Sequence, residues 1–241
     1  MDVSIFIATH IKPYRKIKEP CYRYVGCGPK KHSLPVNLCD DSLGGDNIAE
    51  KNAYYSELSV QYWAWKNADS PYVGLMHYRR WLVNKKKKLL SESELKSILS
   101  DKDVWVVKKV TWEQNVKDNY AIWRDPGELD DTRAVLEKLF PNYLDAFDRV
   151  LASYSLHPYN MLITSKEIFD NYSSFLFAVL FELEKQYGNS RARLYGYVSE
   201  RLLDVFLTTH PEYSVGELDL LLVKKPLFRR IAKLFHKKKK A

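Results

Sequence analysis

The sequence predicts an α/β fold, with a largely parallel central sheet flanked by helices. Short apolar runs alternate along the chain with longer segments of helical periodicity, which is the pattern of α/β domains. Hydrophobic residues make up 46% of the 241 residues and charged residues 28%, so the chain can bury a core and is not a disordered polymer. A chain of this length needs only one such domain.

Four short apolar runs are predicted to form the main strands. They lie at residues 3–8, 72–76, 104–107 and 159–163, with a further short strand at 22–25. Runs of this length, rich in β-branched residues, are typical of strands buried on both faces. The first run ends at Thr9-His10 and the second at His77 to Arg80. Because ligands bind beyond the carboxyl ends of the strands in such sheets, we expect these polar residues to face a ligand.

The helices are predicted from capping residues and from the spacing of apolar side chains. They are expected at 47–66, 91–99, 165–187 and 197–208, with further helices over 112–153 that break near Pro126 and Pro141. Asn47 followed by Glu50 has the pattern of a capping box at a helix start. Ser91 and Ser165 are expected N-caps, and Gly188 is a typical residue at which a helix ends.

The positive charge of the chain is concentrated at its C-terminal end. The formal net charge is +8, and residues 220–241 carry nine Lys or Arg side chains and no acid, which leaves 29 basic against 30 acidic residues in the rest. Proteins that bind nucleic acid usually spread cations over a folded face. The pattern therefore argues against a nucleic-acid partner.

Residues 226–235 are predicted to form a basic amphipathic helix. Apolar residues recur there at helical spacing, basic residues occupy the other face, and four lysines follow at 237–240. Such a segment can lie in an anionic membrane surface, although a helix packed on the domain with a disordered lysine end is the alternative. We expect a folded domain over 1–223 and a membrane-associating tail over 224–241, with residues 224–240 contacting an anionic membrane.

The cysteines and the N-terminus predict a cytoplasmic protein. Cys21, Cys27 and Cys39 form neither a CxxC pair nor an even set, which is typical of reduced thiols. The first apolar run lacks the basic segment of a signal peptide, and no run approaches the ~20 apolar residues of a membrane span. Together with the tail, this predicts a protein held peripherally on the inner face of the cytoplasmic membrane.

His77-Tyr78-Arg79-Arg80 is the most informative polar cluster. Guanidinium groups present a planar fork of donors that suits phosphate, and they stay charged when partly buried. Together with His77, the two arginines could hold a pyrophosphate. The alternative is a surface turn whose arginines pair with nearby acids.

Several carboxylates have both a functional and a structural interpretation. Asp40, Asp41 and Asp46 could hold Mg²⁺ or Mn²⁺, but turn and capping roles are preferred because no fixed ligand spacing is present. Glu200 could act as a general base, or it could pair with Arg201. The structural ion pair is favoured for Glu200 when these two residues are taken alone.

Tyr159-Asn160 could bind a sugar, because an aromatic ring covers an apolar sugar face while an amide bonds hydroxyl groups. The alternative is a strand edge with the asparagine in a turn. The sequence contains no G-x-x-x-x-G-K-[ST], G-x-G-x-x-G or G-x-S-x-G motif. This argues against a P-loop, a Rossmann dinucleotide site and a hydrolase nucleophile elbow.

The chain resembles a family of bacterial sugar transferases, formerly catalogued as a domain of unknown function (DUF4422) and found in capsule, O-antigen and lipooligosaccharide gene clusters. The resemblance covers most of residues 2–210, and the order and spacing of several motifs make it specific. These motifs are Ala8-Thr9-His10, Gly45 to Asn52, Tyr55-Ser56-Glu57-Leu58, Tyr62 to Asn67, Gly74 to Arg80, Tyr159-Asn160-Met161 and Gly196 to Leu202.

The resemblance implies a glycosyltransferase with a GT-A-like nucleotide-binding domain. It implies a UDP-sugar donor, with galactosyl or galactofuranosyl as the leading candidates, and a lipid-linked or surface-glycan acceptor in polysaccharide biosynthesis. The Asp-x-Asp metal motif expected after the strand near residue 76 is absent, so dependence on Mn²⁺ or Mg²⁺ is an open question. The alternative is a non-catalytic, membrane-associated protein that binds a nucleotide or a glycan.

Roles can be assigned on this basis. Arg79 and Arg80, with His77, are expected to stabilise the departing diphosphate, and Glu200 is the expected general base. Thr9 and His10 are expected near the nucleoside, and Tyr159 and Asn160 near a sugar. Further candidate substrate-binding residues are Asp46, Asn47, Asn52 and Arg201.

Overall fold

The protein is built around a branched β-sheet. The computed structural model describes residues 2–34 and 39–224. The strands are β1 (Val3–Thr9), β2 (Tyr22–Gly26), β3 (Cys39–Asp40), β4 (Tyr72–His77), β5 (Arg80–Val83), β6 (Val104–Val107), β7 (Val110–Thr111), β8 (Ser155–Leu156), β9 (Leu162–Ser165) and β10 (Val215–Leu222). Eight of them form one sheet in the order β3-β2-β1-β4-β5-β10-β6-β9, with an additional pairing between β4 and β9, while β7 and β8 form a separate two-stranded sheet.

The sheet is mixed, so the prediction of a largely parallel sheet is wrong in its second half. The pairs β1–β2, β1–β4, β2–β3 and β6–β10 are parallel. The pairs β4–β5, β5–β10, β4–β9 and β6–β9 are antiparallel. His77 at the end of β4 pairs with Arg80 at the start of β5, and only two residues lie between them. A parallel crossover needs a much longer connection, so β5 must run antiparallel to β4.

Helices cover the sheet and alternate with many of its strands, as predicted. They are α1 (Asn52–Tyr55), α2 (Leu58–Asn67), α3 (Glu92–Asp101), α4 (Val116–Ala121), α5 (Gly127–Leu139), α6 (Leu144–Ala152), α7 (Lys166–Tyr187) and α8 (Leu194–Thr209). Two apolar cores result. Phe6 and Ala8 of β1 join the core that contains α7 and α8, whereas Ile5 and Ile7 join the core that contains α3. This alternation is the period of two expected of a strand covered on both faces.

The predicted helix at 47–66 is interrupted. Asn47 Oδ1 accepts from the Ala49 amide at 3.2 Å and not from Glu50, so the expected capping box does not form. A 3-10 turn and the short helix α1 follow, and the chain then breaks at Ser56, where φ is 54°. L-residues rarely adopt positive φ. The break gives Glu57 a position at a cavity wall instead of inside a continuous helix.

Other helix ends agree with the prediction. Ser91 forms a full capping box with Glu94, and Ser165 caps α7, which ends before Gly188. The strand expected at 159–163 begins only at Leu162. Positive φ values of 77° at Tyr159 and 49° at Asn160 place these two residues in a turn instead.

Strand β10 is the longest of the strands that the sequence pattern did not indicate; the others are β3, β5, β7 and β8. Its last residues pair with β5, and the Val223 amide then donates to the Arg79 carbonyl at 2.8 Å. The predicted amphipathic helix at 226–235 lies outside the described residues. Among the helices of residues 2–34 and 39–224, none is long and apolar enough to cross a membrane.

Candidate functional site

A cavity of about 520 Å³ opens where β1 and β4 end. This is the carboxyl edge of the sheet, where ligands are expected to bind. His10 follows the end of β1, and His77, Arg79 and Arg80 lie at or just after the end of β4. Asn52, Glu57 and Arg193 come to the same wall from the broken helix and from the start of α8. A second cavity of about 730 Å³ adjoins it and shares Pro29, Asn52 and Ala53.

Three guanidinium groups line the main cavity: Arg79, Arg80 and Arg193. Each stacks on an aromatic ring, with the guanidinium carbon 5.2 Å from the Tyr78 centroid, 4.3 Å from Tyr159 and 4.8 Å from Tyr197, respectively. None of them forms an ion pair with a carboxylate of the residues that the structure describes; the arginine ion pairs there belong to other arginines. The rings orient the charged groups and leave N–H donors for a ligand.

His10 lies at the cavity mouth, and its pKa responds to the positive charges nearby. The pKa of His10 is lowered, first by burial and then by the nearby charges of Arg79 and Arg193. Its ring packs edge-on against Tyr78, with 5.0 Å between the ring centroids. His10 is therefore neutral at neutral pH, and the arginines supply the positive charge at this mouth.

A carboxylate lies deeper in the same cavity. Glu57 Oε1 accepts a hydrogen bond from Asn160 Nδ2 at 2.8 Å, and His77 Nε2 lies 3.8 Å from the same oxygen. Burial lowers the pKa of His77. His77 is thus neutral at neutral pH, so any help that it gives the arginines comes from hydrogen bonding and not from charge.

Glu200 is not among the residues that line the main cavity, but its ionisation is suited to proton transfer. Burial raises its pKa to about 7; the charge of Arg201 opposes this rise, and that of Glu57 reinforces it. The charges of Arg80 and Arg193 also reach it. Arg201 Nη1 lies 3.3 Å from Glu200 Oε2, yet 21% of the glutamate side chain is still accessible. The ion pair and the general-base interpretation are therefore compatible.

The structure brings many predicted site residues together. His10, Asn52, His77, Arg79 and Arg80 line the main cavity. Tyr159 and Asn160 support it, the first by stacking under Arg80 and the second by holding Glu57. Asn52 also donates to the Ser56 carbonyl at 2.6 Å and therefore stabilises the helix break.

Besides Glu200, four predicted residues lie apart from the main cavity. Thr9 is buried, and its hydroxyl donates to the Ile11 carbonyl at 2.6 Å. Asp46 accepts from the Tyr62 hydroxyl at 2.8 Å, and Asn47 lines only the second cavity. Arg201 is buried over the Tyr120 ring and donates to the Tyr197 carbonyl at 2.9 Å. In the structure these side chains hold the fold around the site.

Glu57 and Arg193 were not predicted as site residues. Glu57 belongs to the motif Tyr55-Ser56-Glu57-Leu58, which carried the family resemblance and could have singled it out. No pattern marks Arg193, which adopts a left-handed φ of 61° just before α8. Only the folded chain places it opposite Arg79 and Arg80.

The described residues do not fit a divalent cation. Residues 2–34 and 39–224 contain no group of three His, Cys, Asp or Glu side chains arranged to hold a metal ion. Asp40 accepts from the Ser42 amide at 2.8 Å, as a turn former does, and Asp41 pairs with Lys31 at 3.0 Å. The cavity presents three guanidinium groups, which repel a cation.

Comparisons with known proteins agree with this architecture. The family model described as "Domain of unknown function (DUF4422)" matches residues 4–211, which confirms the resemblance seen in the sequence. The apo structure of WbbM, a bifunctional glycosyltransferase, is similar with a TM-score of 0.83 and 26% identity over 93% of this chain. The match covers 46% of the WbbM chain, so this chain spans about half its length. No curated protein matches the sequence.

Proposed function

This chain belongs to the family described as a domain of unknown function (DUF4422), and we propose that it is a glycosyltransferase that moves a sugar unit from a nucleotide-sugar donor to a glycan acceptor. The similarity to WbbM supports the reaction class. The observation that carries the proposal is the cavity at the ends of β1 and β4. Its lining includes Arg79, Arg80 and Arg193, and each guanidinium group stacks on an aromatic ring.

The arginines stabilise the leaving group. As the bond between the anomeric carbon and the diphosphate oxygen breaks, negative charge develops on the diphosphate. Arg79, Arg80 and Arg193 are held in place before the reaction, so they meet this charge without reorganising. Charge-assisted bonds from guanidinium to phosphate are among the stronger hydrogen bonds in proteins. No step in this mechanism is routed through a metal ion.

Glu200 accepts the proton of the acceptor hydroxyl. The acceptor oxygen attacks the anomeric carbon as the proton passes to Glu200 and the diphosphate departs. A carboxyl group whose pKa is about 7 is substantially ionised at neutral pH and is a stronger base than an ordinary glutamate. Its pairing with Arg201 fixes the orientation of the carboxylate.

We propose a UDP-hexose as the donor, with a galactosyl or galactofuranosyl unit as the leading candidate. The family resemblance supports this choice, and the neutral His10 ring at the cavity mouth is available to contact the nucleoside. The proposed acceptor is a lipid-linked or surface glycan. We propose that the protein acts on this glycan in the cytoplasm, where residues 224–240 hold the protein on the inner face of the membrane.

A nucleotide-sugar screen tests this function. Calorimetry of the full chain with UDP-sugars and other nucleotide sugars, with and without Mn²⁺, should find a UDP-hexose that binds, and an assay of UDP release with lipid-linked or glycan acceptors should detect turnover. Binding without UDP release would favour the non-catalytic alternative. Binding that requires Mn²⁺ would contradict the arginine mechanism.

A further inference from the structure

Two hydrogen-bond acceptors face each other on the cavity wall without a donor between them. His77 Nε2 and Glu57 Oε1 are 3.8 Å apart, which is too far for a hydrogen bond, and Nε2 is buried with no partner among the described residues. An Nε2–H this close to a carboxylate would donate to it, and no such bond forms, so we assign the ring hydrogen to Nδ1 and the lone pair to Nε2.

A buried acceptor without a donor is costly, as His77 Nε2 is here, and Glu57 Oε1, which accepts from Asn160, can take a second hydrogen, so this wall fits a ligand that brings hydrogens. A single hydroxyl has only one hydrogen and cannot donate to both atoms. Two neighbouring hydroxyls on a sugar ring can, one to His77 and one to Glu57. We infer that Glu57 and His77 together bind a vicinal pair of hydroxyls on the donor sugar; this inference rests on the proposed function.

The position of the pair favours the donor sugar over the nucleotide. The charge of Arg80 reaches both His77 and Glu200, so the pair lies beside the groups assigned to the diphosphate and to the base. The Glu57 carboxylate repels phosphate but accepts hydroxyl donors well. A sugar attached to the diphosphate is the part of the donor that is neutral, rich in hydroxyls and adjacent to the arginines.

Asn160 is the positioning residue of this subsite. Its Nδ2 group donates to Glu57 Oε1 at 2.8 Å and to the Gly196 carbonyl at 3.3 Å, which ties the carboxylate to helix α8. The residue is fully buried with a φ of 49°, and asparagine tolerates this left-handed backbone better than most residues. Strained backbone that is fixed by its surroundings is typical of a functional site.

The substrate class follows from this geometry. The donor carries a hexosyl unit with two adjacent free hydroxyls, and a sugar that is deoxygenated or substituted at either position binds poorly. A site built to bond hydroxyls discriminates strongly against an analogue that lacks one, because the buried groups are then left unpaired.

The test compares Glu57→Gln with the wild-type full chain. Glutamine can still accept from Asn160, but it lacks the charge. The probes for calorimetry are UDP, UDP-galactose, UDP-galactofuranose, UDP-glucose and monodeoxy UDP-galactoses, and Glu113→Gln is the matched control at an exposed position. We expect the wild type and the control to bind at least one UDP-hexose tenfold or more tightly than UDP. In Glu57→Gln this advantage should fall at least tenfold, with the affinity for UDP within about twofold of wild type.

The monodeoxy series adds a readout that a purely structural role would not move. Loss of either hydroxyl at two adjacent ring positions should weaken binding to the wild type, and Glu57→Gln should be less sensitive to one of these losses. The inference is overturned if no UDP-hexose binds more tightly than UDP, if Glu57→Gln keeps the advantage, or if this variant loses UDP affinity equally. A wild type that discriminates among sugars but releases no UDP would instead contradict the transferase.

Discussion

The arginines of the cavity differ from those around α4 and α5 in one respect. Both sets stack on aromatic rings: Arg80 lies over Tyr159, and Arg191 lies over Tyr187. The α4–α5 set is also paired with carboxylates, since Arg124 and Arg191 both bond the buried Glu128 at 3.1 and 2.9 Å. The cavity set has no such partner among the described residues. Stacking alone thus marks charges available to a ligand, and added ion pairing marks charges used by the fold.

The largest effect is expected for Arg80→Ala. Removing a guanidinium that stabilises the developing diphosphate charge should reduce kcat/KM about 10³-fold, and Arg80→Lys should recover little because lysine lacks the planar fork. The melting temperature should stay within a few degrees of wild type. Arg133→Ala is the control, since Arg133 pairs with Asp148 on the surface, and it should transfer sugar normally. Near-normal turnover by Arg80→Ala would remove the phosphate assignment.

Glu200→Gln should reduce transfer about 10²-fold and leave donor binding unchanged, because only proton transfer is lost. In the wild type, kcat should fall as the pH drops below about 7, where Glu200 takes up a proton, and this slope should be absent in the variant. If donor affinity is lost together with turnover, Glu200 contacts the nucleotide or supports the fold.

The same carboxyl group should make stability depend on pH in an unusual direction. Its pKa is raised from 4.5 to about 7, so the folded state binds the proton more tightly than the unfolded chain. The resulting stabilisation is fully present below pH 4.5 and is lost as the pH rises through about 7. The melting temperature of Glu200→Gln relative to wild type should therefore increase over this interval, and a constant difference would contradict the burial of Glu200.

Glu128→Gln should have the opposite profile to Arg80→Ala. This carboxylate is 1% exposed and bonds Tyr120, Arg124 and Arg191, so losing its charge should destabilise the fold by about 2 kcal/mol. UDP affinity should change less than about threefold. Calorimetric melting and UDP titration measure the two effects, and a large loss of UDP affinity would erase the distinction between the two arginine sets.

The smallest effect on chemistry is expected from truncation after Val223. The shortened protein should no longer float with anionic liposomes, because nine basic residues are removed, yet it should still glycosylate soluble acceptors. Replacing Lys85 to Lys88 by glutamine is the matched control, since it removes a lysine run from the folded domain. Unchanged liposome binding after truncation would refute the role of the tail.

The sequence predicted those parts of the fold that depend on local patterns. The buried runs of β1, β4 and β6 and the caps at Ser91 and Ser165 agree with the structure. Because ligands bind beyond the carboxyl ends of parallel strands, the sequence predicted that His10, His77 and Arg80 share a site, and all three line the main cavity. These features need only periodicity, capping chemistry and the direction of strands.

The remaining features depend on contacts that are distant in sequence. The apolar spacing of residues 54–65 indicated one helix, and nothing in it revealed the positive φ of Ser56 that places Glu57 at the cavity. Strand β10 combines acidic residues with leucines and is held by pairing with β5 and β6. Arg193 reaches the site only because helix α8 packs against α1.

The hydrogen bond that the Val223 amide donates to the Arg79 carbonyl has a mechanical consequence. It joins the end of the described chain to the turn between β4 and β5, which contains Arg79 and leads into Arg80. Any force on the residues after Lys224 therefore acts close to the mouth of the main cavity, which Arg79 lines. A surface that binds the C-terminal end would hold this cavity close to that surface, so a substrate diffusing along the surface would reach the cavity beside Arg79 and Arg80.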